Sequence, residues 1–249
     1  MRTVRTGHTI GARREPPTPP ERGAGRLLRL RLGLWLLSAP EAVPGRRLPS
    51  VRALAHATGV HRNTVAAVYR DLDRLGLVRC VRGAGTFVGG PRRPIGSCQE
   101  IVCPEKELTA ALSLELGRPV VTTGGPGAAL LWPLDRSPPD APAWSERPVL
   151  PVAPAGPALR ALRRVRPGGT VHLTSASPRV GCLVRRAVVA LHGESVGLER
   201  GPAEAALRGG RAPDLHLIDC VGFERRGTRG GPGGLIPLRL LPDVGRRAG

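Results

Sequence analysis

Between positions 62 and 75 the apolar residues fall on one helical stripe. Val65, Val68, Leu72 and Leu75 repeat at the three- and four-residue spacing of an amphipathic helix, and Gly76 stands where a left-handed residue would end it. Upstream, Ser50 is a good N-cap for a shorter helix over residues 51–58, with Val51, Leu54 and Ala55 facing inward and Gly59 breaking it. Downstream, two short β-like runs, 77–82 and 86–89, are joined by Gly83, Ala84 and Gly85 and predict a hairpin. A further helix is predicted over residues 26–38, ended by Pro40. Its leucines cover more than one face, with Leu27, Leu30, Leu34 and Leu37 on one and Leu28, Leu32 and Trp35 on another. A helix apolar on two sides needs two partners. One is its own domain; the other is a second subunit or the C-terminal domain.

The pattern changes after residue 90. Residues 91–107 read as a linker punctuated by Pro91, Pro94 and Pro104. Beyond them, short apolar runs (120–123, 170–175, 196–199, 215–218 and 235–240) alternate with helical stretches (108–116, 158–165, 180–191 and 203–207). That alternation predicts an α/β fold with a mostly parallel sheet. Residues 124–148 are rich in Pro and Gly and read as irregular. The expected architecture is an α/β two-domain chain: a disordered basic arm over 1–25, a winged helix-turn-helix over 26–90, the linker, and an effector-binding or dimerisation domain over 108–249.

Composition adds a partner class. The formal net charge is +19, and it is uneven: residues 1–95 hold 18 Arg against 5 acidic residues. A basic N-terminal half points to a polyanion, nucleic acid or an anionic membrane surface. Lys106 is the only lysine, and the abundant Arg, Gly, Pro and Ala are also what a GC-rich genome produces, so charge alone does not choose the partner. The apolar stretch 27–37 is too short to span a bilayer and is interrupted by Arg29 and Arg31. The polar, Arg-rich start has no signal-peptide pattern, and five cysteines form no regular framework, which suggests a reducing cytoplasmic setting.

The local chemistry favours DNA. In a helix-turn-helix the second helix presents its N-terminal polar residues to base edges. Here these are His61, Arg62, Asn63 and Thr64, followed by the short Ala66 and Ala67, which allow close approach. Arg62 suits guanine or phosphate, Asn63 adenine or phosphate, and Thr64 a phosphate oxygen. Arg52 lies near the same surface, and Arg82 with Gly83 and Gly85 makes a narrow positive wing suited to a minor groove.

The segments "LPSVRALA", "GVHRNTV", "LGLV" and "RGAGTFV", in that order within residues 44–88, resemble the DNA-binding domain of GntR-family transcriptional regulators. The resemblance implies operator binding as a homodimer, with DNA contacts at Arg52, His61, Arg62, Asn63, Thr64, Arg82, Gly83 and Gly85. The chain departs from the family at His61, where Ser is frequent, and at Ala66, where many members have Arg. The wording is nearest to branches with very short or aminotransferase-like C-terminal parts. The second branch needs a Schiff-base lysine, and Lys106 sits between Glu105 and Glu107 in the linker, so no enzyme is expected.

In the C-terminal part, "TSASPR" follows a strand and opens a helix. Ser175, Ser177 and Arg179 there suit a small anion, and equally suit a plain Ser N-cap with Pro in the first turn. Asp219 ends a strand and faintly suggests a phosphorylated receiver, but the acidic pair and the lysine of such a site are missing. Cys80, Cys98 and Cys103 lack zinc spacing and read as free thiols, and the histidines show no metal-ligand spacing; no metal and no cofactor are expected. The reading is therefore a dimeric, operator-binding regulator, cytoplasmic and not at a membrane, tuned by a small-molecule effector or by dimer geometry. The alternative is a non-specific architectural DNA binder whose C-terminal domain only dimerises.

Overall fold

The computed structural model describes residues 21–90, 98–125, 127–138, 147–202, 213–219 and 235–242. The expected arm lies almost wholly outside the described residues, as does the predicted helix at 203–207. The first helix, α1 (Glu21–Ser38), begins five residues earlier than the apolar pattern suggested. Then come α2 (Val51–Thr58), α3 (Arg62–Arg74) and the antiparallel hairpin β1 (Val78–Val81) and β2 (Gly85–Val88).

The ends of α2 are those the sequence proposes, and α3 adds a cap of its own. Ser50 Oγ accepts from the Ala53 amide at 3.2 Å, and Gly59 closes α2 at φ 68°. His61 caps α3 with its ring, Nδ1 accepting from the Asn63 amide at 3.2 Å. Val65, Val68, Leu72 and Leu75 are buried as one stripe. Tyr69 joins them, its hydroxyl donating to the Pro49 carbonyl at 2.7 Å, and burial pushes its pKa up to about 12. The stretch before α2, read as a loop, is more ordered than that. Leu48 N donates to Thr86 O and Val88 N to Arg46 O, each at 2.8 Å, so residues 45–48 add a short third strand beside β2.

The second part is α/β with parallel pairing throughout its ladders. β3 (Ile101–Val102), α4 (Lys106–Leu116), β4 (Ala129–Pro133) and β5 (Val149–Val152) build a three-stranded sheet of order β3-β4-β5 with its helix. Next come α5 (Gly156–Arg164), β6 (Thr170–Thr174), α6 (Pro178–His192), β7 (Gly197–Arg200), β8 (Leu215–Asp219) and β9 (Leu235–Leu238). These four strands form a second parallel sheet, order β7-β6-β8-β9. The chain then returns to the first sheet, where Ala153 N donates to Leu240 O and Ala155 N to Arg239 O, both at 2.9 Å. One apolar core runs through both sheets, joining Ile101, Leu131 and Leu150 to Val171, Leu217 and Leu238.

Three expectations need correction. The supposedly irregular stretch 124–148 contains β4, and part of the supposed linker is β3, whose Ile101 and Val102 are buried. β5 was not expected as a strand either. These strands are short or uniformly apolar and carry none of the alternation that marks a half-exposed strand. Conversely, the run 120–123 forms only a single bridge, Val121 to Val102.

The second apolar face of α1 finds its partner in the same chain. Leu28, Leu30 and Leu34 share a core with Val65, Val68 and Leu72 of α3 and also with Leu134, Leu159, Ala187 and Ala190. The approach is close at Gly33, where an added Cβ would lie 2.6 Å from Cδ2 of the fully buried Leu134. Gly33→Ala is therefore expected to destabilise by about 1–2 kcal/mol through overpacking. Gly23→Ala, with nothing within 4 Å of its Cβ position, should be neutral or stabilising by up to about 1 kcal/mol. Urea unfolding of the two variants checks this; equal effects would refute the close contact.

Candidate nucleic-acid interface

The polar start of α3 stands in solvent. His61, Arg62 and Asn63 are exposed, and so is Arg52 on α2 of the same domain. The side chain of Thr64 turns the other way. It is half-buried, and its Cγ2 lies 2.9 Å from where a Cβ on Gly25 of α1 would be. Thr64 therefore packs its methyl against Gly25 of α1 while staying half-buried. Ala66 and Ala67 are half-buried.

The wing tip carries exposed Arg82 and Gly83. Gly83 (φ 77°) and Gly85 (φ 117°) adopt backbone conformations that disfavour a side chain. Arg47, which the sequence reading passed over, belongs here. It pairs with Phe87 of β2, and its guanidinium Nε lies 3.3 Å from the position a Cβ on Gly85 would take. Glycine at 85 leaves room for that guanidinium over the wing. The available signal was the doubled arginine in "PGRRLPS", immediately before the helix-turn-helix.

Residues 36–88 match the family model described as bacterial regulatory proteins, gntR family. The N-terminal domain is of the GntR family. Over 54 residues it is 48% identical to the uncharacterised HTH-type transcriptional regulator YhcF of Bacillus subtilis, covering 22% of this chain and 45% of that protein. It is 44% identical over 45 residues to the HTH-type transcriptional repressor YtrA of the same organism, covering 18% and 35%. It is 49% identical over 45 residues to the HTH-type transcriptional regulator Rv1152 of Mycobacterium tuberculosis, covering 18% and 37%. The chain thus spans less than half the length of each of these relatives.

The GntR domain is fastened to the α/β domain through Arg29 of α1. This side chain is 6% exposed. It donates to Asp71 Oδ2 of α3 at 2.7 Å, to the Leu134 carbonyl at 3.1 Å and to Ser137 Oγ at 2.8 Å. Burial lowers the Arg29 pKa, and attraction to Asp71 works against that shift. Arg31 adds a bond to the Ala190 carbonyl at 2.8 Å, and Arg163 one to Ser38 Oγ at 2.9 Å.

A second ion cluster backs the first. Arg179 grips Asp135 with two nitrogens, at 2.7 and 2.9 Å, and also pairs with Glu105. Arg186 shares the Oδ2 of Asp135 with Arg179, and Arg136 pairs with Glu105 at 2.9 Å. Burial alone would raise the Asp135 pKa; the hydrogen bonds and charge of Arg179, with Arg186, outweigh it and hold the carboxyl below the ordinary aspartate value. Burial alone would lower the Arg179 pKa; the hydrogen bonds and charge of Asp135 and Glu105 outweigh it and raise the value.

This corrects the anion reading of "TSASPR". Arg179 is committed to two carboxylates. Ser177 Oγ accepts from the Val180 amide at 3.3 Å as the N-cap of α6, with Pro178 in the first turn. Ser175 Oγ accepts from the Ser177 amide at 3.2 Å. Asp219 is buried at the carboxyl end of β8, next in register to the end of β6. The same pairing joins two histidines that lie far apart in sequence. His172 and His216 meet on β6 and β8 with ring centroids 4.8 Å apart.

Cys80, Cys98, Cys103 and Cys182 are free thiols, and burial pushes Cys103 up to about 11. Among the described residues, no three His, Cys, Asp or Glu side chains converge on a metal-sized site. Nor is any helix among them long and apolar enough to cross a membrane.

Two stability predictions follow from the clasp. Arg29→Met leaves Asp71 buried with only Arg74, 3.6 Å away, and should cost about 3–5 kcal/mol. The Arg29→Met/Asp71→Leu pair should recover a large part of that in urea melts; a double variant as unstable as the sum of the singles would show that the stranded charge is not the cause. Asp135 gives a pH signature. Its lowered pKa contributes stability in full above the unfolded value, and that contribution is lost as pH falls through the lower folded value. Asp135→Asn should flatten the acid limb of a stability-against-pH curve below about pH 4; an unchanged limb would assign the acid sensitivity to other carboxylates.

Proposed function

We propose that the chain is a GntR-type transcriptional regulator that binds a double-stranded DNA operator as a homodimer, with the α/β domain modulating operator affinity. The observation that carries this is the disposition of α3: its apolar stripe is buried, while His61, Arg62 and Asn63 at its start stand exposed. That is the arrangement a major groove requires. Arg82 and Arg47 on the wing supply cations for the adjoining groove or phosphates. A two-fold dimer would present two such helices to a roughly palindromic site. A ligand that prefers one dimer geometry would then shift DNA occupancy by mass action.

Selection of genomic fragments by the full chain, followed by anisotropy titration on the winning site and on random DNA, tests this. A specificity ratio on the order of 10³ or more supports a regulator. Equal affinity for all sequences identifies an architectural binder and sinks the proposal. On the selected site, Arg62→Ala is expected to cost roughly 1–3 kcal/mol and to relax base preference at one position. Uniform weakening across sequences would reassign Arg62 to phosphate. Arg82→Ala should weaken binding most where the flanks are A·T-rich; insensitivity to the flanks would exclude wing insertion.

A further inference from the structure

Where the winged helix meets the α/β domain, a cavity of about 470 Å³ opens to solvent. One wall is α1 and α3; the other is the turn after β4 together with α6. Four guanidinium groups line it, from Arg26, Arg29, Arg136 and Arg186, against the carboxylates of Asp71 and Asp135. The lining thus carries an excess of two positive charges. Its acids are engaged, Asp71 by Arg29 and Arg74 and Asp135 by Arg179 and Arg186, and Arg136 pairs with Glu105 just outside the lining, so six arginines face three carboxylates in and around the cavity. Arg26 makes no hydrogen bond or ion pair among the described residues, and its charge works to lower the pKa of Arg29. Guanidinium forks converging on a partly enclosed space take phosphate or carboxylate oxygens in pairs, and do so more strongly there than in open water.

We propose that this cavity binds a small dianion bearing phosphate or carboxylate groups, and that the bound anion couples the α/β domain to α3. The coupling follows from the walls. Thr64, Ala67 and Val68 of α3 face the cavity on one side and Arg186 of α6 on the other. An anion held by Arg26 and Arg186 bridges the two domains and biases the setting of α3. The coupling half of the inference rests on reading the chain as a DNA-binding regulator; the binding half does not. A DNA backbone phosphate has the same chemistry, so the test separates the two sources.

The full chain without DNA is titrated calorimetrically with inorganic phosphate, citrate and glucose 6-phosphate, at ionic strength held constant with potassium chloride. At least one probe should bind at one per chain, and the Arg26→Glu variant, which breaks no ion pair among the described residues, should weaken it by about tenfold or more with an unchanged thermal midpoint. If no probe binds beyond chloride, or the variant binds as well as the parent, the inference falls. If no free anion binds but the variant loses DNA affinity, the cavity seats a backbone phosphate and the small-ligand assignment is overturned. On an operator, the anion should change DNA affinity by the same factor by which DNA changes anion affinity; a factor of one removes the coupling and leaves the site. Absence of specific DNA binding would remove the regulator reading while leaving anion binding measurable.

Discussion

The geometry of this chain depends on the guanidinium of Arg29. It is nearly dry, and drying a cation is costly unless its donors are matched. Here they are matched by groups from two separate segments: a carboxylate on α3, and a carbonyl and a hydroxyl in the turn after β4. A fully apolar contact would tolerate small slips of the helix, whereas a forked donor on fixed acceptors does not. The ion pair thus fixes how the two domains sit, while the apolar contacts around it supply most of the attraction.

That attraction explains why α1 is apolar on two sides. The winged helix and the α/β domain share a core, with Leu30 and Leu34 of α1 between Leu72 of α3 and Leu159 of α5. The apolar contacts of this shared core thus act together with the Arg29 ion pair to seat α1. β3 tightens this further, because it draws the chain into the first sheet soon after the wing ends. Arg29 joins the turn after β4 to Asp71 of α3 through hydrogen bonds from one guanidinium.

The sequence made the winged helix legible nearly residue by residue, because every signal there is local. A cap, a stripe, a left-handed glycine and a glycine-tipped hairpin lie within a few positions of one another. The α/β class was legible from alternation alone. The strands β3, β4 and β5 were not, since buried parallel strands carry no period-two pattern and Pro133 and Pro151 disguise two of them. Thr64 illustrates a different limit. Its position at the start of α3 suggested DNA, but which side of the helix faces α1 depends on Gly25, thirty-nine residues upstream. Pairings such as Arg29 with Asp71, or His172 with His216, are created by tertiary structure and have no sequence signature.

Arg179 shows the same limit for chemistry. Read locally, an arginine after Ser-Pro at a helix start faces an incoming anion; in the fold it meets Glu105 and Asp135, which are 74 and 44 residues away. Its charge is consumed in holding the turn after β4 against α6. Arg186 lies two helical turns further along α6 and grips the same aspartate through its Oδ2. α6 thus carries one anchored arginine near the carboxyl end of β6 and one half-exposed arginine at the domain boundary, both fixed by a single buried carboxylate. At the strand end the one arginine is matched by two carboxylates, whereas at the domain boundary Arg26 adds a cation to arginines that are already paired.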